Sequence, residues 1–240
     1  MKRVIKFGSI LLAGMVLSQA NADEQAVRKA LSQSIPDAKP DLIAPSDVKG
    51  LYEVMIGTNI FYVTDDGKYL IQGKIYDVEA RKDISEEKIA GARIKAIGDV
   101  SNDQMIVFKP EKSKHTVTIF TDVDCGYCRK LHSEIDDYLE EGITIQYLLF
   151  PRAGKGSDSY KKSVSVWCAE DRNKALTLTK KGQIPEEKEC DNPVDEHMAL
   201  GQQLNVTGTP MMVTEKGTVF PGYIPAKNLS KALNDDKTGG

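Results

Sequence analysis

Apolar side chains recur with different periods along this chain, and the changes of period divide it. Residues 23–37 place Val27, Ala30 and Leu31 on one helical face, and Pro36 stops the run. From 51 to 78 the pattern is that of β structure. Two runs rich in aromatic and β-branched side chains, 59–64 and 68–76, flank Asp65-Asp66-Gly67, with Tyr62 and Tyr69 close by. An Asp-Gly pair between such runs predicts a hairpin, because the turn needs positive φ at its centre. Helical spacing returns over 84–97, where Asp83 can cap the first turn with Glu86 three residues on. Ala90, Ile94 and Ile97 are apolar there, but Glu86, Glu87, Lys88, Arg93 and Lys95 leave most of the helix polar, which suits a connector.

From Met105 the pattern becomes that of a larger α/β unit. Residues 105–108 form a short apolar strand, and Val117 and Ile119 alternate with Thr116, Thr118 and Thr121. That alternation predicts a half-buried strand aimed at Cys125. A helix is expected from about 125 to 140, with Leu131, Ile135, Tyr138 and Leu139 inward and Gly142 as its stop. Ile143, Ile145, Tyr147 and Leu149 alternate up to Pro151. Residues 161–178, which include Cys168, and 194–204 have helical composition. Strands are expected at 211–214 and 218–220, split by Lys216-Gly217, and a helix at 226–233. This order is an α/β (α+β) layout with mixed strand directions. The expected division is 1–22, 23–83, 84–103 and 104–240.

Composition adds a few exclusions. With 240 residues, 40% hydrophobic and 28% charged, the chain is no disordered tail, collagen repeat or coiled-coil rod. Lys and Arg number 32 against 35 Asp and Glu, so no basic footprint points to nucleic acid. Lys2, Arg3 and Lys6 precede the apolar stretch 7–17, and Ala20-Asn21-Ala22 follows it. Such a stretch falls short of the roughly 20 residues that cross a bilayer. The pattern is that of a cleavable export signal over 1–22, preferred over a buried N-terminal helix because cations precede it. Cleavage would leave 218 residues and take the formal charge from −3 to −6. The 23–83 unit has few large apolar side chains, so its strands need a partner, either the rest of the chain or a second copy.

Export changes the meaning of the cysteines, Cys125, Cys128, Cys168 and Cys190. Cys125-Gly126-Tyr127-Cys128 sits where a strand gives way to a helix. Free amides and the macrodipole at a helix start favour a thiolate, so Cys125 is the expected nucleophile. Two residues on, Cys128 is placed to resolve a mixed disulfide. Two other readings are half of a zinc site, with His132 a turn beyond Cys128, and a static disulfide. His132 is expected at the helix surface, no metal is expected, and no cofactor is required. Cys168 and Cys190 are expected to form a structural bridge worth roughly 3 kcal/mol through the loop it closes; a second redox pair is the rival. Thr209-Pro210 starts a strand, and an X–Pro bond is trans by default.

Residues 121–131 resemble the active site of a thioredoxin-fold enzyme. Thr64-Asp65-Asp66-Gly67, Ile71-Gln72-Gly73 and Tyr76-Asp77-Val78 resemble the N-terminal domain of the DsbC/DsbG family of periplasmic disulfide isomerases. Phe150-Pro151-Arg152, Trp167-Cys168-Ala169 and Gly208-Thr209-Pro210 match further on in the same order. The resemblance implies a thioredoxin-like C-terminal domain with a helical insertion, joined by a linker helix to a small N-terminal α+β dimerisation domain. It also implies a cis Thr209-Pro210 bond beside Cys125, with Gly126, Tyr127, Thr209 and Pro210 meeting substrate. A homodimer in the periplasm, misoxidised protein substrates and re-reduction by the membrane reductase DsbD complete the expectation. The alternatives are a DsbG-type reductase, whose active site usually carries proline where Gly126 stands, and a chaperone with incidental thiols. Asp124 departs from the family pattern of an uncharged residue there. Unless it caps the helix and points away, its charge is expected to raise the Cys125 pKa.

Overall fold

The computed structural model describes residues 13–238, with side chains over 23–235. Residues 1–12, where most of the expected export signal falls, lie outside the described residues, as do the side chains at 20–22. The chain divides into two units, one ending at Glu87 and the other beginning at Lys88.

In the first unit, helix α1 (Ala13–Ser34) ends just before Pro36, whose ring bars the helical conformation from the residue preceding it. Strands β1 (Leu42–Pro45), β2 (Leu51–Ile56), β3 (Asn59–Thr64) and β4 (Leu70–Gln72) form an antiparallel sheet in that order. Val27, Ala30 and Leu31 pack with Tyr52, Val54 and Val63 in a small core. The Asp-Gly hairpin joins β3 to β4, with Val63 opposite Leu70. Gly67 is required twice there. Its φ is +69°, and a Cβ would sit 2.7 Å from the Ala26 carbonyl oxygen. The 68–76 run is not one strand. It yields β4 and then β5 (Tyr76–Asp77), which pairs with β6 (Lys82–Asp83) instead. Tyr69, Ile71, Tyr76 and Val78 are exposed.

Helix α2 (Ile84–Gly98) opens as expected, the Glu86 amide donating to Asp83 Oδ1 at 2.8 Å. A 3-10 turn, Asn102–Gln104, follows. The second unit then contains β7 (Ile106–Phe108), β8 (His115–Thr121), α3 (Gly126–Ser133), α4 (Ile135–Glu140), β9 (Ile143–Leu149), α5 (Asp158–Trp167), α6 (Arg172–Lys180), α7 (Val194–Gln203), β10 (Met211–Thr214), β11 (Val219–Pro221) and α8 (Ala226–Thr238). The sheet order is β11-β10-β8-β9-β7, with β8 and β9 parallel and the other pairs antiparallel.

Strand β8 is not half-buried. Thr118 and Thr121 are 4% and 0% exposed, because both faces of the central strands are covered. Val117 and Ile119 join a core with Leu131, Tyr138, Leu176 and Leu229, whereas Phe120 and Leu148 join a second core with Leu200 and Leu204. Two expected helices are each broken. The 125–140 helix parts at Glu134 (φ −109°, ψ 21°), whose carboxylate accepts the Tyr223 hydroxyl. The 161–178 helix parts after Cys168, and Asp171 caps a new one by accepting the Lys174 amide at 2.9 Å. Composition hides both breaks, since good helix formers lie on either side.

Candidate active site

Strand β8 delivers the chain to the site and Asp122 holds the loop that follows. The buried Asp122 carboxylate accepts the Asp124 amide at 2.9 Å and the Ser159 hydroxyl at 2.6 Å on Oδ1. On Oδ2 it accepts the Arg152 amide at 3.0 Å and Nε at 3.1 Å. With that loop fixed, Cys125 becomes the N-cap of α3 (φ −77°, ψ 125°), and its sulfur accepts the Cys128 amide at 3.4 Å. Other amides of the first turn are unpaired within the helix and point at the same region. Cys125 and Cys128 are both free thiols, 3% and 1% exposed. Gly126 and Tyr127 are exposed between them, Tyr127 at 68%.

The loop before β10 supplies the other wall. Thr209-Pro210 is cis, against the default for an X–Pro bond. The Cys125 thiol donates to the Thr209 carbonyl at 3.1 Å. The Thr209 hydroxyl is buried without a conventional hydrogen-bond partner and lies beside both sulfurs.

The two thiols differ in acidity. Burial pushes Cys125 up, but the Thr209 side chain, the Cys128 thiol and amide, and the Arg152 charge together bring it below an ordinary cysteine. For Cys128 burial wins, and its pKa is raised despite the opposing charge of Lys180. One sulfur is therefore poised to ionise while its neighbour keeps its proton.

Asp124 does not cap the helix. Its carboxylate takes Lys162 Nζ at 3.0 Å and an Arg129 guanidinium nitrogen at 3.1 Å, so two cations balance the charge next to Cys125. His132 is not at the surface either. It is 3% exposed between Tyr147 and Thr177, with Nδ1 3.1 Å from the Tyr147 hydroxyl and Nε2 3.0 Å from Thr177 Oγ1. Both ring nitrogens are used, and Phe108 stands edge-on to the ring at 5.1 Å. Burial, with the charges of Lys180 and Lys181, pushes its pKa to about 4. Among the described residues no cluster of three or more His, Cys, Asp and Glu side chains is arranged to hold a metal. Cys168 and Cys190 are joined as a disulfide with Cα atoms 5.8 Å apart, tying the end of α5 to the stretch before α7.

Three further residues at this site carry charge that the spacing of cysteines did not reveal. Asp122 and Arg152 flank Cys125. Lys180 is 4% exposed and donates from Nζ to Thr121 Oγ1 at 2.7 Å and the Asp122 carbonyl at 2.8 Å. A signal for Lys180 does exist in the chain. It lies four residues beyond the buried Leu176, on the apolar stripe of a helix where a cation is out of place.

Residues 101–237 match the family model of a thioredoxin-like domain, and residues 18–86 match that of the disulfide bond isomerase protein N-terminal domain. The chain is 39% identical over 217 residues to thiol:disulfide interchange protein DsbC of Escherichia coli (strain K12), covering 90% of this chain and 89% of that one. With the protein of the same name from Dickeya dadantii (strain 3937) it shares 37% over 238 residues, 98% of this chain and 96% of the relative. Among solved structures, a disulfide interchange protein from Neisseria gonorrhoeae superimposes with a TM-score of 0.51 at 33% identity. That match covers 57% of this chain and 97% of the other. A thioredoxin-like unit with paired thiols at a helix start, preceded by a DsbC-type N-terminal domain, places the chain in the DsbC family of thiol:disulfide interchange proteins.

Proposed function

We propose that the chain is a periplasmic disulfide isomerase in which Cys125 is the nucleophile and Cys128 the resolving thiol. The observation that carries this is a pair of free thiols at one helix start, Cys125 capping α3 and accepting the Cys128 amide beside the cis Thr209-Pro210 loop; the opposite displacement of their pKa values agrees with it. The Cys125 thiolate attacks a wrong disulfide; a Cys125–substrate bond forms, and the second substrate sulfur leaves as a thiolate. That thiolate attacks another substrate disulfide, and the returning substrate thiolate releases Cys125 unchanged. When rearrangement stalls, Cys128 displaces the substrate, which leaves reduced, and a Cys125–Cys128 disulfide forms.

Gly126, Tyr127, Thr209 and Pro210 form the substrate-binding rim, the exposed Tyr127 offering an apolar face. The Cys168–Cys190 bridge is structural. Residues 23–83 form the dimerisation domain, 84–103 the linker and 104–240 the catalytic domain. The small core around Val27 and Val54 and the exposed Ile71, Tyr76 and Val78 support a second copy as partner of the N-terminal unit. Export by residues 1–22 brings the chain to the periplasm, and among the described residues no helix is long and apolar enough to cross a membrane. Misoxidised proteins are the substrates, and a membrane reductase of DsbD type returns the thiols to the reduced state.

Scrambled ribonuclease in a glutathione buffer tests the reading. Recovery of ribonuclease activity by the native chain and its loss in Cys125→Ser are expected. Reduction of substrate without recovery would favour a DsbG-type reductase. Suppression of aggregation that survives Cys125→Ser, with no thiol-dependent recovery, would favour a chaperone.

A further inference from the structure

Helices α3 and α6 meet along a stripe of each. On α3 the inward residues Cys128 and His132 are one turn apart, and on α6 Thr177 and Lys180 are. The His132–Thr177 contact sets their register and carries Lys180 to the Cys128 end of α3. The Lys180 hydrogen bonds to Thr121 and Asp122, just upstream of Cys125, fix it there.

Lys180 is chemically out of place. A buried ammonium is costly unless an anion faces it. Among the described residues Lys180 is in no salt bridge with a carboxylate, its two hydrogen bonds going to a hydroxyl and a carbonyl. The Asp122 carboxylate, whose charge reaches Lys180, is already saturated by Ser159, the Arg152 side chain and amide, and the Asp124 amide. Two of the three ammonium N–H groups are thus engaged, and a third remains for an anion that is not a carboxylate.

We propose that Lys180 is the positioning residue of the resolving step: its buried ammonium stabilises the thiolate of Cys128 and so governs how fast Cys128 attacks a mixed disulfide at Cys125. This rests on the assignment of Cys125 as nucleophile and Cys128 as resolving thiol. In that step Cys128 loses its proton and its sulfur bonds to the Cys125 sulfur. The Cys125–substrate S–S bond breaks, and its electron pair departs on the substrate sulfur, which takes up a proton. The enzyme pair is oxidised and the substrate reduced.

The mutual influence of the two groups supports the assignment. Burial raises Cys128, and the charge of Lys180 is the largest influence against it. Burial lowers Lys180 to about 8, and Cys128 is the largest charge holding it up. The other ionisable groups acting on the pair are Asp122, Cys125, Arg129, Arg152, His132 and Tyr147. His132, near 4, and Tyr147, raised well above 10, are neutral at pH 7. Lys180 is therefore the cation that burial leaves closest to its own titration at working pH, which makes the resolving rate sensitive to pH. Slow resolution leaves time for rearrangement; fast resolution favours reduction.

The full reduced chain is mixed with excess oxidised glutathione, quenched in acid at intervals between pH 5 and 9, and weighed by mass spectrometry. Lys180→Met keeps the bulk without the charge, and Lys180→Gln keeps a hydrogen-bonding head. Near-ultraviolet circular dichroism checks both folds. The glutathione adduct at Cys125 is expected to form at nearly the native rate in both variants. Its resolution is expected to be about tenfold slower at pH 7, with the pH profile displaced upward. Native resolution kinetics and pH profile in Lys180→Met would overturn the proposal, as would native behaviour in Lys180→Gln alone, which would assign the effect to hydrogen bonding. Formation of neither a Cys125 adduct nor a Cys125–Cys128 disulfide in the native chain would instead remove the catalytic assignment beneath it.

Discussion

The Arg152 guanidinium and backbone amide both converge on one oxygen of Asp122, Nε at 3.1 Å and N at 3.0 Å. Asp122 is 3% exposed on its side chain while Arg152 is about half exposed. The buried carboxylate thereby holds a cation at the rim of the site, where its charge lowers the Cys125 pKa. The loop, the cation and Cys125 form one electrostatic unit.

Asp122→Ala strands the Ser159 hydroxyl and two backbone amides, and is expected to cost about 3 kcal/mol, lowering Tm by about 10 °C. Burial pushes the Asp122 carboxyl up, but the bonds from Ser159, the two amides and Arg152 pull it below 3.8. With a depressed folded pKa the contribution is complete above about pH 5 and is lost as pH falls through 3.8 toward the folded value. In urea unfolding, the stability difference between the native chain and Asp122→Ala should narrow as pH falls below 3.8.

Arg152→Met removes the cation that favours the Cys125 thiolate. Reaction of iodoacetamide with Cys125, in a Cys128→Ser background at pH 6, should slow about threefold. The plateau rate at high pH should be unchanged. An unaltered rate at pH 6 would show that the helix start and Thr209 suffice.

Lys162→Met and Asp124→Thr should act in opposite directions. Releasing the Asp124 carboxylate from Lys162 exposes its charge to Cys125 and raises the thiol pKa. Removing the carboxylate leaves Lys162 and Arg129 unbalanced and lowers it. Thiolate absorbance at 240 nm across a pH titration reads both, and shifts of the same sign would rule out this charge balance.

His132 is neutral in the fold. Thr177 Oγ1 donates to the Asn173 carbonyl at 2.8 Å, so it accepts Nε2–H, and Nδ1 accepts the Tyr147 hydroxyl. His197 is similarly used, accepting the Leu149 amide at 3.1 Å and donating to the Gln104 carbonyl at 2.7 Å. Burial pushes both to about 4 from 6.5. The unfolded chain binds more protons between those values, so stability should fall on acidification from 6.5 to 4, by up to about 3 kcal/mol per histidine. Guanidinium unfolding of His132→Gln at pH 7 and pH 4.5 should show about half of the native difference.

Local features of the site were legible from residue order. The N-terminal amides of α3 act on Cys125 because strand and helix adjoin in sequence. The Asp65-Asp66-Gly67 hairpin and the Asp83 cap likewise depend on groups within a few residues. Coverage was not legible. The Thr116–Thr121 alternation looks half-buried because threonine is polar, yet packing on both faces of the sheet buries Thr118 and Thr121. His132 lies among polar residues such as Lys130, Ser133 and Glu134, and the approach of α6, β9 and Phe108 buries it. The break after Cys168 depends on Asp171 capping a second helix inside a run of good helix formers.

By itself the sequence determined which sulfur begins the helix, which turns demand glycine, and, through resemblance, the family. Each of these follows from short-range geometry or from residues in fixed order. Only the tertiary structure decided which charges meet at the site: Lys180 buried at the Cys128 end of α3, Asp122 beneath Arg152, Asp124 between Lys162 and Arg129. Those pairings join residues as much as 52 positions apart. The effect of Lys180 and Arg152 on thiol acidity depends on how far water is kept from the site, a property of the packed structure that no stretch of chain carries alone.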